Sequence, residues 1–184
     1  MAQMARPSST VAMIQILTDG GTMGYTIRIG EAVVTDCDYY WECAVERMEL
    51  PDAPESPAAG LGKANEAWPS YSSWPDFCRA VVLYDVFFNE DYGLMHNHPD
   101  CAKLTEAHVI RFEAALKAFR AEHPEAVPRY VNYIHDEGFA EYRRRLAEDT
   151  TVSPHDATLA RLEWLCWWSR WAITNCARPA LYNK

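Results

Sequence analysis

The sequence predicts an α+β fold: a small three-stranded antiparallel sheet packed with a predominantly helical carboxyl-terminal part of four or five helices. Two patterns support this prediction. Apolar and polar residues alternate with period two near the amino terminus, as in a half-buried strand, and apolar residues recur every three to four positions after residue 72, as in helices. A loop rich in proline and glycine separates the two patterns.

The length of the chain, 184 residues, suits one domain with its own hydrophobic core. We therefore predict a single domain, 1–184, in three consecutive parts. These are a mixed β/α part (11–50), the Pro/Gly-rich loop (51–71) and the helical part (72–176).

Three short segments have the pattern of strands. Val11–Leu17 is an apolar run, and Tyr25–Ile29 alternates between apolar and polar residues. Gly30 and Glu31 fit a two-residue turn into Ala32–Thr35, because glycine can adopt the positive φ that such a turn requires.

The next segment, Asp38–Leu50, has a spacing compatible with a helix, although its type stays open. On a helix, three carboxylates of this segment would share one face and repel one another. Use of this face to bind a basic partner would explain why the protein keeps such an unfavourable arrangement. A solvated helix face is the plainer explanation. The candidate partner-binding residues are these three and two from the following loop: Glu42, Glu46, Glu49, Asp52 and Glu55.

Capping residues and apolar spacing predict four helices beyond the loop. Ser73 and Thr105 are the expected caps of the first two, and Ser153-Pro154 begins the last. The predicted helices span residues 73–89, 105–119, 137–147 and 153–175.

The last predicted helix carries four tryptophans on one stripe: Trp164, Trp167, Trp168 and Trp171. Leucines and other apolar residues occupy its opposite side, so we expect the helix to be buried and its indole rings to fill the core. The alternative is a partner-binding face, since aromatic side chains dominate binding hot spots.

Charge and cysteine content limit the function. The net charge of −9 argues against direct binding to DNA or RNA, which relies on Lys and Arg to neutralise phosphates. No apolar run approaches the length of a membrane span. Six scattered cysteines in a chain of this length indicate reduced thiols and a cytoplasmic protein. The oligomeric state stays open.

A second candidate site is a possible metal centre in residues 93–101. His96 and His98 would point to the same side of an extended segment, and Cys101 or Asp100 could add a third ligand for a metal such as Zn²⁺. A fourth ligand would come from elsewhere in the chain; the candidates are Cys37, Cys43 and His108. An ordinary loop between two elements explains the same residues without a metal.

Two functions follow from these observations. The first is a small acidic interaction protein without enzymatic activity, an inhibitor or adaptor that binds a basic, nucleic-acid-binding surface of a protein complex. Phage-encoded antagonists of bacterial defence, including anti-CRISPR proteins, share these coarse properties, as do many unrelated proteins. The alternative is a small zinc-dependent hydrolase that uses His96 and His98, with Glu90 or Asp91 as general base.

Overall fold

The computed structural model describes residues 24–37, 40–58, 60–96, 98–129, 153 and 155–184. Within these residues the chain forms a curled five-stranded antiparallel sheet and four helices. We number the elements in chain order: β1 (Ile27–Cys37), β2 (Tyr40–Val45), β3 (Glu66–Ala67), α1 (Ser73–Ala80), α2 (Tyr84–Phe88), β4 (Asp100–Lys103), α3 (Glu106–Glu122), α4 (Asp156–Asn175) and β5 (Pro179–Asn183). No helix among them is long and apolar enough to cross a membrane.

The expected three-stranded sheet is wrong, because strands from the second half of the chain complete it. The strand order is β2-β1-β5-β4, and β3 pairs with the first residues of β1. Leu181 of β5 lies opposite Ile29 on one side and Ala102 on the other. β3, β4 and β5 are two, four and five residues long, too short for alternation to mark them in the sequence.

The turn predicted at Gly30 and Glu31 is also wrong, since β1 continues through both residues. They pair with Ala180 and Pro179 of β5, so the partner strand keeps this segment extended. A Cβ atom on Gly30 would lie 3.1 Å from the Val45 side chain, which explains glycine here as a close-packing residue.

The segment expected to have helical spacing forms strand β2 instead. Its residues pair antiparallel with β1, from Ala32 opposite Val45 to Cys37 opposite Tyr40. Aromatic and β-branched residues favour this extended state, and pairing with β1 decides it. The predicted strand Val11–Leu17 and the predicted helix Glu137–Ala147 lie outside the described residues.

The helix predicted over residues 73–89 is broken into α1 and α2 at Val82. This residue has a φ of +57°, a left-handed conformation that β-branched residues rarely adopt. Its side chain is 78% exposed, whereas Val81 and Leu83 on either side are buried. The break therefore allows both neighbours to reach the core.

The predictions for the last two described helices are confirmed more closely. α3 begins after Thr105, and α4 runs from Asp156 to Asn175. Trp164 and Trp168 are fully buried, and the Trp164 indole N–H donates to the Ala64 carbonyl at 2.9 Å. Trp167 and Trp171 are only partly buried, so half of the stripe reaches the surface.

A disulfide joins Cys43 to Cys101, with their Cα atoms 5.8 Å apart. The expectation that all thiols are reduced is therefore wrong for this pair. Cys78, Cys166 and Cys176 are free, and the Cys37 side chain lies outside the described part of the structure. Burial raises the pKa of the Cys166 thiol to about 12 and raises that of Cys78 as well, so neither suits a nucleophile.

Candidate functional site

The predicted partner-binding carboxylates lie on a segment that leaves β2 and crosses the surface. We call residues 46–55 the acidic loop. Glu46, Glu49, Asp52 and Glu55 are all exposed there, and the carboxylate of Glu49 pairs with Arg47 at 2.7 Å. The loop thus presents four carboxylates against one guanidinium.

The acidic loop is not the helical stripe that the spacing suggested. Glu42 belongs to strand β2, and its side chain lies outside the described part of the structure. Glu46 and Glu49 follow the strand in an extended segment that makes a bridge from Glu49 to Ala64. The carboxylates therefore follow one another along a loop.

Backbone hydrogen bonds hold the acidic loop against the returning chain. Leu50 N–H donates to the Lys63 carbonyl at 3.4 Å, and Ser56 N–H donates to the Gly62 carbonyl at 2.7 Å. The Lys63 ammonium donates to the Pro51 carbonyl at 2.5 Å. These bonds fix the middle and the end of the acidic loop.

Asn65 is the main anchor of the acidic loop. It is fully buried, and its amide donates to the carbonyls of Ile29 and Glu46, each at 3.0 Å, while its side-chain oxygen accepts from Met48 N–H at 2.9 Å. A buried amide must satisfy its donors and acceptor, so these bonds fix the start of the loop relative to β1. No local pattern in the sequence marked Asn65, because its partners are 17 to 36 residues away.

The end of the acidic loop borders a cavity of about 560 Å³. Pro54, Glu55 and Ser56 line one side, and Arg129, Ala160 and Glu163 line another. Two carboxylates and one guanidinium thus face this cavity. The guanidinium of Arg129 is already bonded to the buried carboxylate of Asp156 at 2.6 Å.

Within the described residues, the predicted metal ligands do not form a group whose donor atoms lie close together. Cys101 is held in the disulfide and cannot act as a thiolate, and Asp100 accepts a bond from the Cys101 N–H at 2.7 Å. His96 and His98 are both exposed, and His98 Nδ1 lies 2.7 Å from the Asn183 side-chain oxygen. The disulfide removes Cys101 from the ligand set, and a zinc site at His96 and His98 stays an untested prediction.

Two of the three candidate fourth ligands have other partners, and the side chain of the third, Cys37, lies outside the described part of the structure. Cys43 forms the disulfide, and His108 Nδ1 accepts a hydrogen bond from the Thr105 N–H at 3.2 Å. Among the described residues, one set of three metal-ligating side chains comes together, and it is His123, Glu125 and His155. No local pattern in the sequence marks this group, because 32 positions separate the two histidines in the chain.

A shallow groove of about 550 Å³ lies between α3 and α4. Trp167, Trp171 and Leu116 give it an apolar floor, and Arg120 and Arg170 lie along its sides. The two arginines form ion pairs with acidic residues: Arg120 with Glu163, and Arg170 with Glu106 and Glu113. The groove therefore offers aromatic surface but no uncompensated charge from these two arginines.

No family model, no curated protein and no solved structure matches this chain.

Proposed function

We propose that this chain is a non-enzymatic interaction protein, which uses its acidic loop to bind a basic surface of a protein partner. The observation that supports the proposal is that Glu46, Glu49, Asp52 and Glu55 are exposed on a loop whose backbone is fixed. A partner with Lys and Arg side chains would complement this surface.

Preorganisation favours binding through this loop. Association normally requires loop segments to become ordered, which costs free energy at the moment of binding. Here Asn65 and the hydrogen bonds of Leu50 and Ser56 already order the backbone. The free energy of the electrostatic contact is then available for affinity.

The net charge of the whole chain also favours attraction to a basic partner. At a net charge of −9, long-range attraction would accelerate encounters with a basic partner and slow those with nucleic acid. Basic surfaces of this kind are found on proteins that hold nucleic acid through its phosphates. We propose two specific roles. The chain is either an inhibitor that covers such a surface, as phage antagonists of bacterial defence do, or an adaptor that recruits the protein carrying that surface.

The test is affinity capture from a lysate of the source organism at 50 mM and 500 mM salt. The variant carries Glu46→Gln, Glu49→Gln, Asp52→Asn and Glu55→Gln. We expect the unmodified protein to capture a basic protein at low salt, and the variant to lose it. Duplex DNA added as a competitor should displace the captured protein if its nucleic-acid-binding surface is the one covered.

A matched control removes the same charge from other exposed positions: Asp76→Asn, Asp85→Asn, Glu90→Gln and Asp91→Asn. The control should retain the captured protein, because the loop rather than net charge is proposed to make the contact. Equal capture by the variant of the acidic loop would refute the proposal.

A cytoplasmic location is the prediction from the sequence, and it depends on reduced thiols. The Cys43–Cys101 disulfide favours an oxidising compartment instead, since cytosolic thiols are kept reduced. Alkylation of thiols in intact cells, followed by mass spectrometry, tests whether Cys43 and Cys101 are oxidised there; reduced thiols at both positions would support the cytoplasm.

A further inference from the structure

Two histidines meet where the end of α3 approaches the start of α4. His123 directly follows α3, and its N–H donates to the Phe119 carbonyl at 2.9 Å. His155 directly precedes α4. The two imidazole rings are stacked with centroids 3.6 Å apart and planes inclined by 17°.

A carboxylate completes this group. Glu125 lies two residues after His123, and its Oε1 atom is 3.8 Å from His123 Nδ1. One ligand atom from each of His123, Glu125 and His155 can be chosen so that all three lie within 4.8 Å of one another. Two imidazoles and one carboxylate are a ligand set that zinc sites in proteins use.

We propose that His123, Glu125 and His155 bind a Zn²⁺ ion, which joins the end of α3 to the start of α4. Bond lengths of about 2.0–2.2 Å require the donor atoms to approach to about 3.3 Å in tetrahedral geometry. The exposed Glu125 side chain can move by the remaining distance. The imidazole rings must rotate out of their parallel stack so that their lone pairs converge, which is a motion about a soft torsion.

Surrounding residues hold the two rings close to each other before an ion binds. Phe119 packs against both rings, with centroid distances of 4.6 Å to His123 and 6.0 Å to His155. The N–H of Ala126 donates to the His123 carbonyl at 3.1 Å and closes the turn that carries Glu125.

The neighbouring carboxylate of Asp156 is committed elsewhere and would not compete for the ion. It accepts hydrogen bonds from Val127 N–H at 2.9 Å, Ser153 N–H at 3.2 Å and Arg129 Nε at 2.6 Å. These bonds fix the chain just after Glu125 against the start of α4. Three protein ligands leave one zinc position for water or another oxygen donor.

The experiment is titration of chelator-treated protein with ZnCl₂. Binding is measured by isothermal titration calorimetry, and Tm is measured by thermal unfolding at each zinc concentration. We expect one zinc per chain and a rise in Tm with zinc concentration, since an ion that binds the folded state stabilises it. His123→Gln and His155→Gln should each weaken zinc binding at least about tenfold. Glu125→Gln provides a third variant at an exposed position, where misfolding is not expected.

His96→Gln is the matched control, because His96 is an exposed histidine of the other candidate metal site. It should bind zinc like the unmodified protein. Three outcomes would overturn the proposal: no zinc binding by the unmodified protein, unchanged affinity in Glu125→Gln, or loss of binding in His96→Gln alone. The proposal is independent of the acidic loop, so either can fail without the other.

Discussion

Cys43 and Cys101 connect the two outer strands of the sheet, although β1 and β5 lie between those strands in the pairing order. The sheet must therefore curl until β2 approaches β4. Ala32, Val45 and Ala180 are buried in a small apolar cluster against which both cysteines pack. The disulfide thus stabilises the curl of the sheet by linking its two outer strands.

Removal of this disulfide should destabilise the fold. The cross-link spans 58 positions, and loop-closure entropy for that length corresponds to about 4 kcal/mol. We expect the double variant Cys43→Ser/Cys101→Ser to lose about 2–4 kcal/mol in the free energy of unfolding, measured by urea denaturation. Cys176→Ser, which changes a free and partly exposed thiol, is the control and should lose far less.

The helices were predictable from the sequence to the extent that their signals are local. Thr105 and the acidic start at Asp156 mark helix ends within a few residues, and the tryptophan spacing correctly identified Trp164 and Trp168 as core residues. The sheet was not predictable in this way. β5 is held between β1 and β4 by partners that are about 80 and 150 positions away in the chain.

The candidate sites show the same difference between local and long-range signals in the sequence. The sequence alone shows that acidic residues are concentrated after β2. Their arrangement depends on Asn65, whose hydrogen-bond partners are distant in the chain. The metal prediction at His96 and His98 relied on neighbours in sequence. The group of His123, Glu125 and His155, by contrast, is created by the approach of two helix ends that are distant in the chain.

Val82 is expected to limit stability. Its left-handed backbone costs about 1–2 kcal/mol for a residue with a β-carbon, and its exposed side chain contributes little burial in return. Val82→Gly should therefore raise the free energy of unfolding by about 1 kcal/mol in urea denaturation. The control is Val33→Gly, at an exposed position within strand β1, where the same change should lower stability. A loss of stability in Val82→Gly would contradict this account.

The buried carboxylate of Asp156 should be the most sensitive charge at the α3–α4 junction. Asp156→Asn removes the charge that Arg129 pairs with and weakens the bonds from Val127 and Ser153. We expect a loss of about 2–3 kcal/mol in the free energy of unfolding. Asp85→Asn, which breaks an exposed pair with Arg111, should cost less than about 1 kcal/mol.

Asp156 should also contribute to acid sensitivity. Burial alone would raise its pKa, but hydrogen bonds from Val127, Arg129 and Ser153 and the charge of Arg129 outweigh burial, so the pKa is lowered. Its contribution is therefore fully present above the unfolded pKa of about 3.9 and is lost as pH falls through the lower folded value. Urea denaturation between pH 5 and pH 2 should show a smaller decline in Asp156→Asn than in the unmodified protein.

His108 should produce a separate loss of stability at mildly acidic pH. Desolvation lowers the pKa of this half-buried imidazole. Its Nδ1 atom accepts a hydrogen bond from the N–H of Thr105, the residue that caps the start of α3. As pH falls below about 6.5, the unfolded chain takes up the proton before the folded chain does, and the free energy of unfolding declines until the folded pKa is passed. Protonation of Nδ1 would also remove the acceptor of the Thr105 bond.

A glutamine variant of His108 distinguishes the effect of the imidazole charge from that of the capping hydrogen bond. His108→Gln offers an oxygen that can accept the same N–H, as in other capping boxes, but it does not titrate. We expect this variant to show a smaller decline in stability than the unmodified protein between pH 7 and pH 5, measured by urea denaturation. His96→Gln, at an exposed site, should keep the full decline. An identical pH profile in His108→Gln and the unmodified protein would mean that the imidazole at the start of α3 is not the titrating group.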